Sequence, residues 1–319
     1  MNAPLRLIGD VGGTHTRFAL LDAAQRPERV RVLASEDYPS LASAITAYLD
    51  AEKPEPRPRE AALAVASAVT GDAVTLTNRS WSFSIAALQG ALGLERLLVI
   101  NDFTANALAM PQLRQDERIA IGGGAAAAGA PIAVLGPGTG LGMSALVPSR
   151  DGGIAIAGEG GHATIPAADE RESEVLARMR RRFGHVSAER VLSGPGLVNL
   201  YQTLAELAGA PAEDFTPAQI ADAEIGKSEI LCREAVEMFC AMLGTVAGNL
   251  ALTLGARGGV YIAGGIVPRL GARFAASGFR RRFEDKGRFR AYLAAIPCYV
   301  VTHPVPAFLG LAQHLARGG

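Results

Sequence analysis

Cysteine is scarce in this sequence: the three that occur, Cys232, Cys240 and Cys298, show no C-x-x-C spacing. That argues against a zinc site built on paired cysteines and against a disulfide framework. It suits a reducing cytosol, with the three thiols serving as packing residues. An excess of either charge is also missing. Lys plus Arg number 31 and Asp plus Glu number 31, so no global field favours nucleic acid or an anionic membrane surface. The opening MNAPLRLIGD lacks a basic stretch followed by a long apolar one, so no secretory signal is expected. A membrane-spanning run is lacking as well. The uncharged stretch Ile119 to Ser149 comes nearest, but it is rich in Gly and Ala and is broken by Pro131, Gly136, Pro137 and Gly138. A spanning helix needs about 20 continuous apolar residues, so a loop followed by two short strands is expected instead.

What is present is a chain of 319 residues, 49% hydrophobic and 19% charged, long enough for two domains. The first hundred residues have a definite order. Leu5 to Gly9 is an apolar strand, Gly12-Gly13 a tight turn, Phe18 to Leu21 a second strand and Arg29 to Ala34 a third. Leu41 to Leu49 has helical spacing, and Ala61 to Ala66 reads as a buried strand. Ile85 to Leu92 is helical, Leu97 to Ile100 a strand, and Thr104 to Met110 helical again. The series β-β-β-α-β-α-β-α is the layout of a ribonuclease-H-like domain, shared by actin, Hsp70 and sugar kinases. A second copy begins after Gly129: Pro131 to Leu135, a glycine turn from Gly136 to Gly142, then Met143 to Val147. Helices are expected over Glu172 to Phe183, Gly196 to Leu207, about Ser228 to Leu254, and Pro306 to Ala316. Strands are expected over Gly259 to Ala263 and Ile296 to Thr302. The fold class is therefore α/β, with two ribonuclease-H-like domains facing across a cleft. The small domain is assigned residues 1–112 plus 301–319, and the large one 113–300.

The motifs follow this frame. In Gly9-Asp10-Val11-Gly12-Gly13-Thr14, the glycines let backbone N–H groups approach an anion and Thr14 adds a hydroxyl. Asp10, at the strand end, could hold a hydrated Mg²⁺, which wants oxygen ligands. A plain hairpin turn is the alternative. The turn leads into a strand with no lysine following, so neither dinucleotide nor P-loop spacing applies. Gly138-Thr139-Gly140 sits in the second glycine hairpin. Two such hairpins, one from each half, can grip the β- and γ-phosphates of a nucleotide. Gly264-Gly265 ends an apolar strand and would permit close approach of an adenine or ribose; a tight strand-to-helix turn is the alternative. Gly226-Lys227-Ser228 resembles the end of a P-loop, but position 221 is Ala where that motif needs Gly.

The strand Leu97 to Ile100 delivers Asn101 and Asp102 at its C-terminal edge, where open α/β folds place chemistry. A carboxylate there can accept a proton from a sugar hydroxyl while Asn101 bonds neighbouring hydroxyls. The competing reading makes Asp102 the N-cap of the next helix. Glu159 and His162, in Gly158-Glu159-Gly160-Gly161-His162, and Glu189 are candidates for a hydroxyl clamp. The Glu-x-x-His spacing invites a metal reading, but the intervening glycines argue against the helix that such spacing uses.

Together these residues resemble the bacterial glucokinase family, the branch of hexokinase-type kinases outside the ROK group. The resemblance covers essentially the whole chain. It rests on GDVGGT at 9–14, TNRSWSFS at 77–84, INDFTA at 100–105, GPGTGLG at 136–142, GEGGH at 158–162, GHVSAERVLSGPGLVNLY at 184–201, GGVYIAGGIVPR at 258–269 and FEDKGRF at 283–289. It implies a cytoplasmic, usually homodimeric enzyme that transfers phosphate from ATP, with Mg²⁺, to the 6-hydroxyl of D-glucose, and that needs no nucleic-acid or membrane partner. Asp102 becomes the general base. Asn101, Asp102, Glu159, His162 and Glu189 become glucose ligands, and Gly9 to Thr14 the ATP-binding loop. The chain departs from the family at His15-Thr16, Ser67-Ala68, Arg79 and His303-Pro304-Val305-Pro306, none of them a sugar or catalytic position. His15 lies near the expected phosphates, so nucleotide affinity and turnover are the properties exposed to these changes. Three rivals remain: a kinase for mannose or fructose, a sugar sensor with little turnover, and a sugar-independent ATPase of the actin or Hsp70 kind.

Overall fold

The computed structural model describes residues 5–77, 79–150, 152–222 and 230–317. The Gly226-Lys227-Ser228 stretch and the expected helix start at Ser228 lie outside them. The chain divides into two compact units. One comprises Met1–Leu113, Ser149–Gly158 and His303–Gly319; the other comprises Arg114–Pro148 and Glu159–Thr302.

The first unit carries strands β1 (Arg6–Val11), β2 (His15–Leu21), β3 (Pro27–Ala34), β4 (Glu60–Val65), the short pair β5 (Ala73–Thr75) and β6 (Ser82–Ser84), and β7 (Arg96–Asn101). Its main sheet runs β3-β2-β1-β4-β7. β2 is antiparallel to β1, and β4 and β7 run parallel to it. Alternation explains why β1 sits at the centre. Leu7 and Val11 pack on one face with Leu41, Ile45 and Tyr48 of the helix Leu41–Glu52. Ile8 packs on the other with Phe308 and Leu311 of the helix Pro306–Ala316. A strand buried on both faces must read as an apolar run, as this one does. Ser40 starts the first of those helices, accepting the N–H of Ser43 in a capping box. The second lies so close to the helix Asp102–Ala109 that a Cβ at Gly310 would collide with the Ala105 carbonyl.

The next strands are β8 (Arg118–Ile121), β9 (Ile132–Pro137), β10 (Leu141–Val147), β11 (Ile154–Gly158), β12 (Val260–Ile262) and β13 (Cys298–Val301). In the second unit the order is β10-β9-β12-β13-β8. β10 is antiparallel to β9, while β9, β12 and β13 are parallel neighbours. That repeats the order and directions of β2-β1-β4-β7, as the paired glycine hairpins in the sequence suggested. Among the strands, the β5–β6 hairpin, β8 and β11 escape the sequence reading. β8 pairs antiparallel with β13 at a sheet edge and leaves Ile119 exposed, so its apolar content gave no burial signal. Residues Ser149–Gly158 group with the first unit, where the sequence reading had placed them in the second. Arg317 fastens them, donating from Nη1 to the Gly153 carbonyl at 3.1 Å.

The helix Ile230–Leu254 is long and apolar enough to cross a membrane, but 72% of its most apolar window is buried inside the protein. It is a core helix, contributing Phe239, Met242 and Leu243 to the main hydrophobic cluster of the second unit. All three cysteines are buried. Burial pushes the thiols of Cys240 and Cys298 up to about 12, so both pack rather than react.

Candidate active site

In the first unit, Asp10 is the penultimate residue of β1, and after Val11 the chain turns at once into β2. The Gly12 N–H donates to the His15 carbonyl at 3.1 Å, and Ser35 Oγ donates to the Gly12 carbonyl at 3.2 Å. Thr14 and His15 are exposed at the tip. The Asp10 carboxylate accepts a bond from Arg17 Nη1 at 3.2 Å. Burial raises its pKa above the ordinary carboxylate value, against the opposing pull of Arg17. A partly desolvated single carboxylate at a strand end suits Mg²⁺, which is commonly bound through one or two carboxylates plus substrate phosphates. Among the described residues, no group of three or more His, Cys, Asp or Glu is placed to cage a metal by itself.

β7 delivers Asn101 and Asp102 to the start of the helix Asp102–Ala109. The cap of this helix is Asn101, not Asp102. Asn101 Oδ1 accepts the N–H groups of Phe103 at 2.9 Å and Thr104 at 3.1 Å, and its Nδ2 donates to the Ser67 carbonyl at 3.3 Å. The competing reading of Asp102 as the cap is thereby corrected. Asn101 has the extended backbone, φ −63° and ψ 147°, that a cap residue adopts before the first helical turn. Asp102 is the first helical residue and half-buried, and its Oδ1 accepts the Phe103 N–H at 2.9 Å.

In the second unit the polar candidates assemble around the hairpin between β9 and β10. Glu159 precedes, and His162 ends, a single helical turn, Gly160–His162. A side chain at Gly161 would collide with the Leu141 carbonyl, and one at Gly160 would lie 2.9 Å from Met143 Sδ. The glycines thus seat this turn directly on β10. His162 Nε2 lies 3.9 Å from Glu159 Oε2, and its Nδ1 lies 3.9 Å from Glu189 Oε1. These separations exceed hydrogen-bond length. His162 and Glu159 are more than half exposed, at 58% and 55%.

Glu189 belongs to the short helix Ala188–Val191, which Ser187 caps by accepting the Arg190 N–H. Its Oε2 accepts the Leu141 N–H at 2.9 Å. The hairpin tip is closed by Gly138 N–H donating to the Gly140 carbonyl at 2.8 Å, and the Gly138 carbonyl accepts the Gly194 N–H at 2.8 Å. Gly194 opens the helix Gly194–Ala208, capped by Ser193. Gly264 reaches the same place. It has φ +83°, and a Cβ there would strike the Pro137 carbonyl, so only glycine fits. Gly265 follows as the residue before the helix Ile266–Leu270. Sequence reading found Glu159, His162, Glu189, Gly138, Thr139, Gly140, Gly264 and Gly265 as separate motifs; the fold brings them around one hairpin. It passed over Gly194 as a partner of that hairpin, although the Ser-Gly-Pro-Gly run at 193–196 carries the helix-start signal.

The sequence model of the Glucokinase family matches residues 7–318. A glucokinase of Paramagnetospirillum magneticum is 55% identical over 307 residues, covering 96% of each chain. One of Aromatoleum aromaticum is 53% identical over 311 residues, covering 97% of this chain and 94% of its own. The crystal structure of a glucokinase from an Antarctic psychrotroph matches with a TM-score of 0.87 at 36% identity, over 98% of this chain and 99% of that one. The duplicated sheet with a glycine hairpin in each half is thus the architecture of a sugar kinase. The chain belongs to the glucokinase family.

Proposed function

We propose that this protein transfers the γ-phosphoryl group of ATP to the 6-hydroxyl of D-glucose, giving glucose 6-phosphate and ADP. The observation that carries the reading is the convergence of Glu159, His162 and Glu189 within 4 Å steps on a glycine-seated turn beside the β9–β10 hairpin. Carboxylates accept from hydroxyls and an imidazole both donates and accepts, so the trio suits a polyhydroxylated ligand. Asn101 supplies its second Nδ2 hydrogen and Asp102 its carboxylate to the same sugar.

The reading assigns the two units to two ribonuclease-H-like halves facing across the cleft where sugar and nucleotide meet. Asp102 accepts the proton of the 6-hydroxyl as its oxygen attacks the γ-phosphorus and the bond to ADP breaks. The segment Gly9 to Thr14 and the residues Gly138, Thr139 and Gly140 line the phosphate oxygens, where charge accumulates in the transition state; the Gly12 and Gly138 N–H groups close their own hairpins, so the donors are other N–H groups of these two tips and the Thr14 and Thr139 hydroxyls. Gly264 and Gly265 leave room for the nucleoside. Asp10 would hold Mg²⁺ through water, and the ion, when bound, neutralises phosphate charge. Closure of the halves excludes water as a rival acceptor. A homodimer in the cytoplasm completes the proposal.

A coupled ADP-release assay across glucose, mannose, fructose and no sugar tests it. Turnover with glucose should far exceed that with the other hexoses and without sugar. Equal ADP release with and without glucose would refute it.

A further inference from the structure

The Glu189 carboxylate faces two ways. One carboxylate oxygen, Oε1, faces His162 Nδ1 at 3.9 Å, on the side of the proposed sugar clamp. The other, Oε2, is taken by the Leu141 N–H at 2.9 Å, at the base of the glycine hairpin. The approach is tight. A Cβ built on Gly140, at the hairpin tip, would lie 2.5 Å from that same Oε2. The rest of the residue is fixed. Its carbonyl accepts a bond from Ser193 Oγ at 2.8 Å, Ser193 Oγ accepts the Gly196 N–H at 3.0 Å, and Gly194 N–H holds the Gly138 carbonyl at 2.8 Å. The hairpin is therefore gripped on both sides of its tip by one short stretch, residues 189–194.

We infer that Glu189 is a positioning residue for the phosphate-binding hairpin as well as a sugar ligand, so that one carboxylate links the sugar subsite to the nucleotide subsite. This rests on the reading of Glu189 as a glucose ligand given above. The physical basis is that a carboxylate has two oxygens: Oε2 is held by the hairpin, and Oε1 is turned toward the sugar side. A hydroxyl bound at Oε1 fixes the carboxylate plane, and the plane fixes where Oε2 holds the Leu141 N–H. Movement of the hairpin is felt at the sugar in return, because binding couplings are reciprocal. The hairpin glycine then has a second purpose: it leaves space for the carboxylate, not only for phosphate.

The test exploits that space. In Gly140→Ala the added methyl meets the end of a flexible side chain rather than backbone, so the fold should persist while the carboxylate is displaced. Glucose binding is measured by titration calorimetry with no nucleotide present, alongside thermal melting. Expected is unchanged melting with glucose affinity weakened about 10- to 100-fold, the range for loss of one hydrogen bond to a charged group. The converse variant, Glu189→Ala, is titrated with a non-hydrolysable ATP analogue in the absence of sugar, and should bind it several-fold more weakly than the parent. If Gly140→Ala is folded and binds glucose within about twofold of the parent, a change too small for a lost charged hydrogen bond, the inference is overturned. Unchanged analogue affinity in Glu189→Ala overturns it too, and decides the matter if Gly140→Ala does not fold. A parent protein that binds no glucose would instead refute the sugar-clamp reading itself, so the two failures are distinguishable.

Discussion

Replacing Asp102 with Asn separates catalysis from structure at one atom. The residue begins the helix Asp102–Ala109 and accepts the Phe103 N–H through Oδ1 at 2.9 Å. An asparagine side chain has a carbonyl oxygen able to keep that bond. The cap itself is Asn101, whose two bonds to Phe103 and Thr104 the change leaves untouched. The structural cost is then mainly the lost negative charge in the first helical turn, about 0.3–1 kcal/mol. The catalytic cost is much larger. Loss of a general base typically slows a reaction by about 10²–10⁴. At about 1.36 kcal/mol per decade, that is roughly 2.7–5.4 kcal/mol in the barrier. Turnover at saturating glucose and ATP, followed by coupled ADP release, should fall by two to four decades on that scale. Melting should drop by no more than a few degrees. Glucose should still bind. If Asp102→Asn keeps more than about a tenth of parental kcat, well outside the general-base range, the carboxylate is not the base. A large loss of melting temperature with normal turnover per folded molecule would show that the residue is structural.

Three further outcomes follow from the same structure. Asn101→Ala removes the cap and should cost about 0.5–2 kcal/mol in denaturant unfolding while also weakening glucose binding; a change in affinity with no change in stability would contradict the cap geometry. Arg282 is buried between Glu172 and Asp169, with Nη1 3.0 Å from Asp169 Oδ2 and its other nitrogen paired to Glu172. Glu172→Ala leaves Arg282 buried with Asp169 alone and one nitrogen without its carboxylate, and should cost about 1.5–3 kcal/mol, the range for a hydrogen bond to a charged group, whereas Glu172→Leu combined with Arg282→Met should recover much of that loss; equal stability of the single and double variants would refute an under-compensated buried charge as the cause. His314 is held below its ordinary value of 6.5 by burial and by the nearby charges of Arg96 and Arg317. Below pH 6.5 the unfolded chain gains a proton that the folded one refuses. Stability should thus be full above that pH and fall as pH drops toward the folded value. The slope of melting temperature against pH in that window should shrink in His314→Gln, and an unchanged slope would remove His314 as its source.

Much of the fold could be read from local pattern because its determinants are local. β1 and β4 are buried on both faces, so their apolar runs announce strands, and glycine pairs mark the turns that follow β1 and β9. What escaped was short, exposed or remote. β8 and β11 present Ile119, Ile154 and Ile156 to solvent, which erases the burial pattern. The competing reading of Asp102 as a cap picks the wrong member of the pair Asn101-Asp102, because both residue types cap helices about equally well. Only backbone geometry shows where the helix begins. The bond from Leu141 N–H to Glu189 spans 48 positions and the contact of Gly264 with Pro137 more than a hundred, so no window along the chain could join them.

The proposed site residues differ in how far the fold has already engaged them, and that difference bears on how the site works. Asn101 has both amide atoms bonded to backbone, and Glu189 has one oxygen on Leu141. Such groups are held in place before any ligand arrives, so little side-chain entropy remains to be lost when a hydroxyl bonds to them. Glu159 and His162 are mostly exposed and stand beyond hydrogen-bond length from each other. Only their glycine-seated backbone is fixed, by the close approach of Gly161 to the Leu141 carbonyl. In the proposed complex, substrate would have to order these two side chains, at about 0.5–1.5 kcal/mol for each side chain immobilised. Substitution of Glu159 or His162 should therefore act mainly through sugar affinity, with the fold indifferent. Substitution of Asn101 or Glu189 should disturb a backbone segment and the sugar together. The proposed glucose ligands, of equal standing by chemistry, are thus unequal by architecture, and the inequality follows from which side chains the backbone already needs.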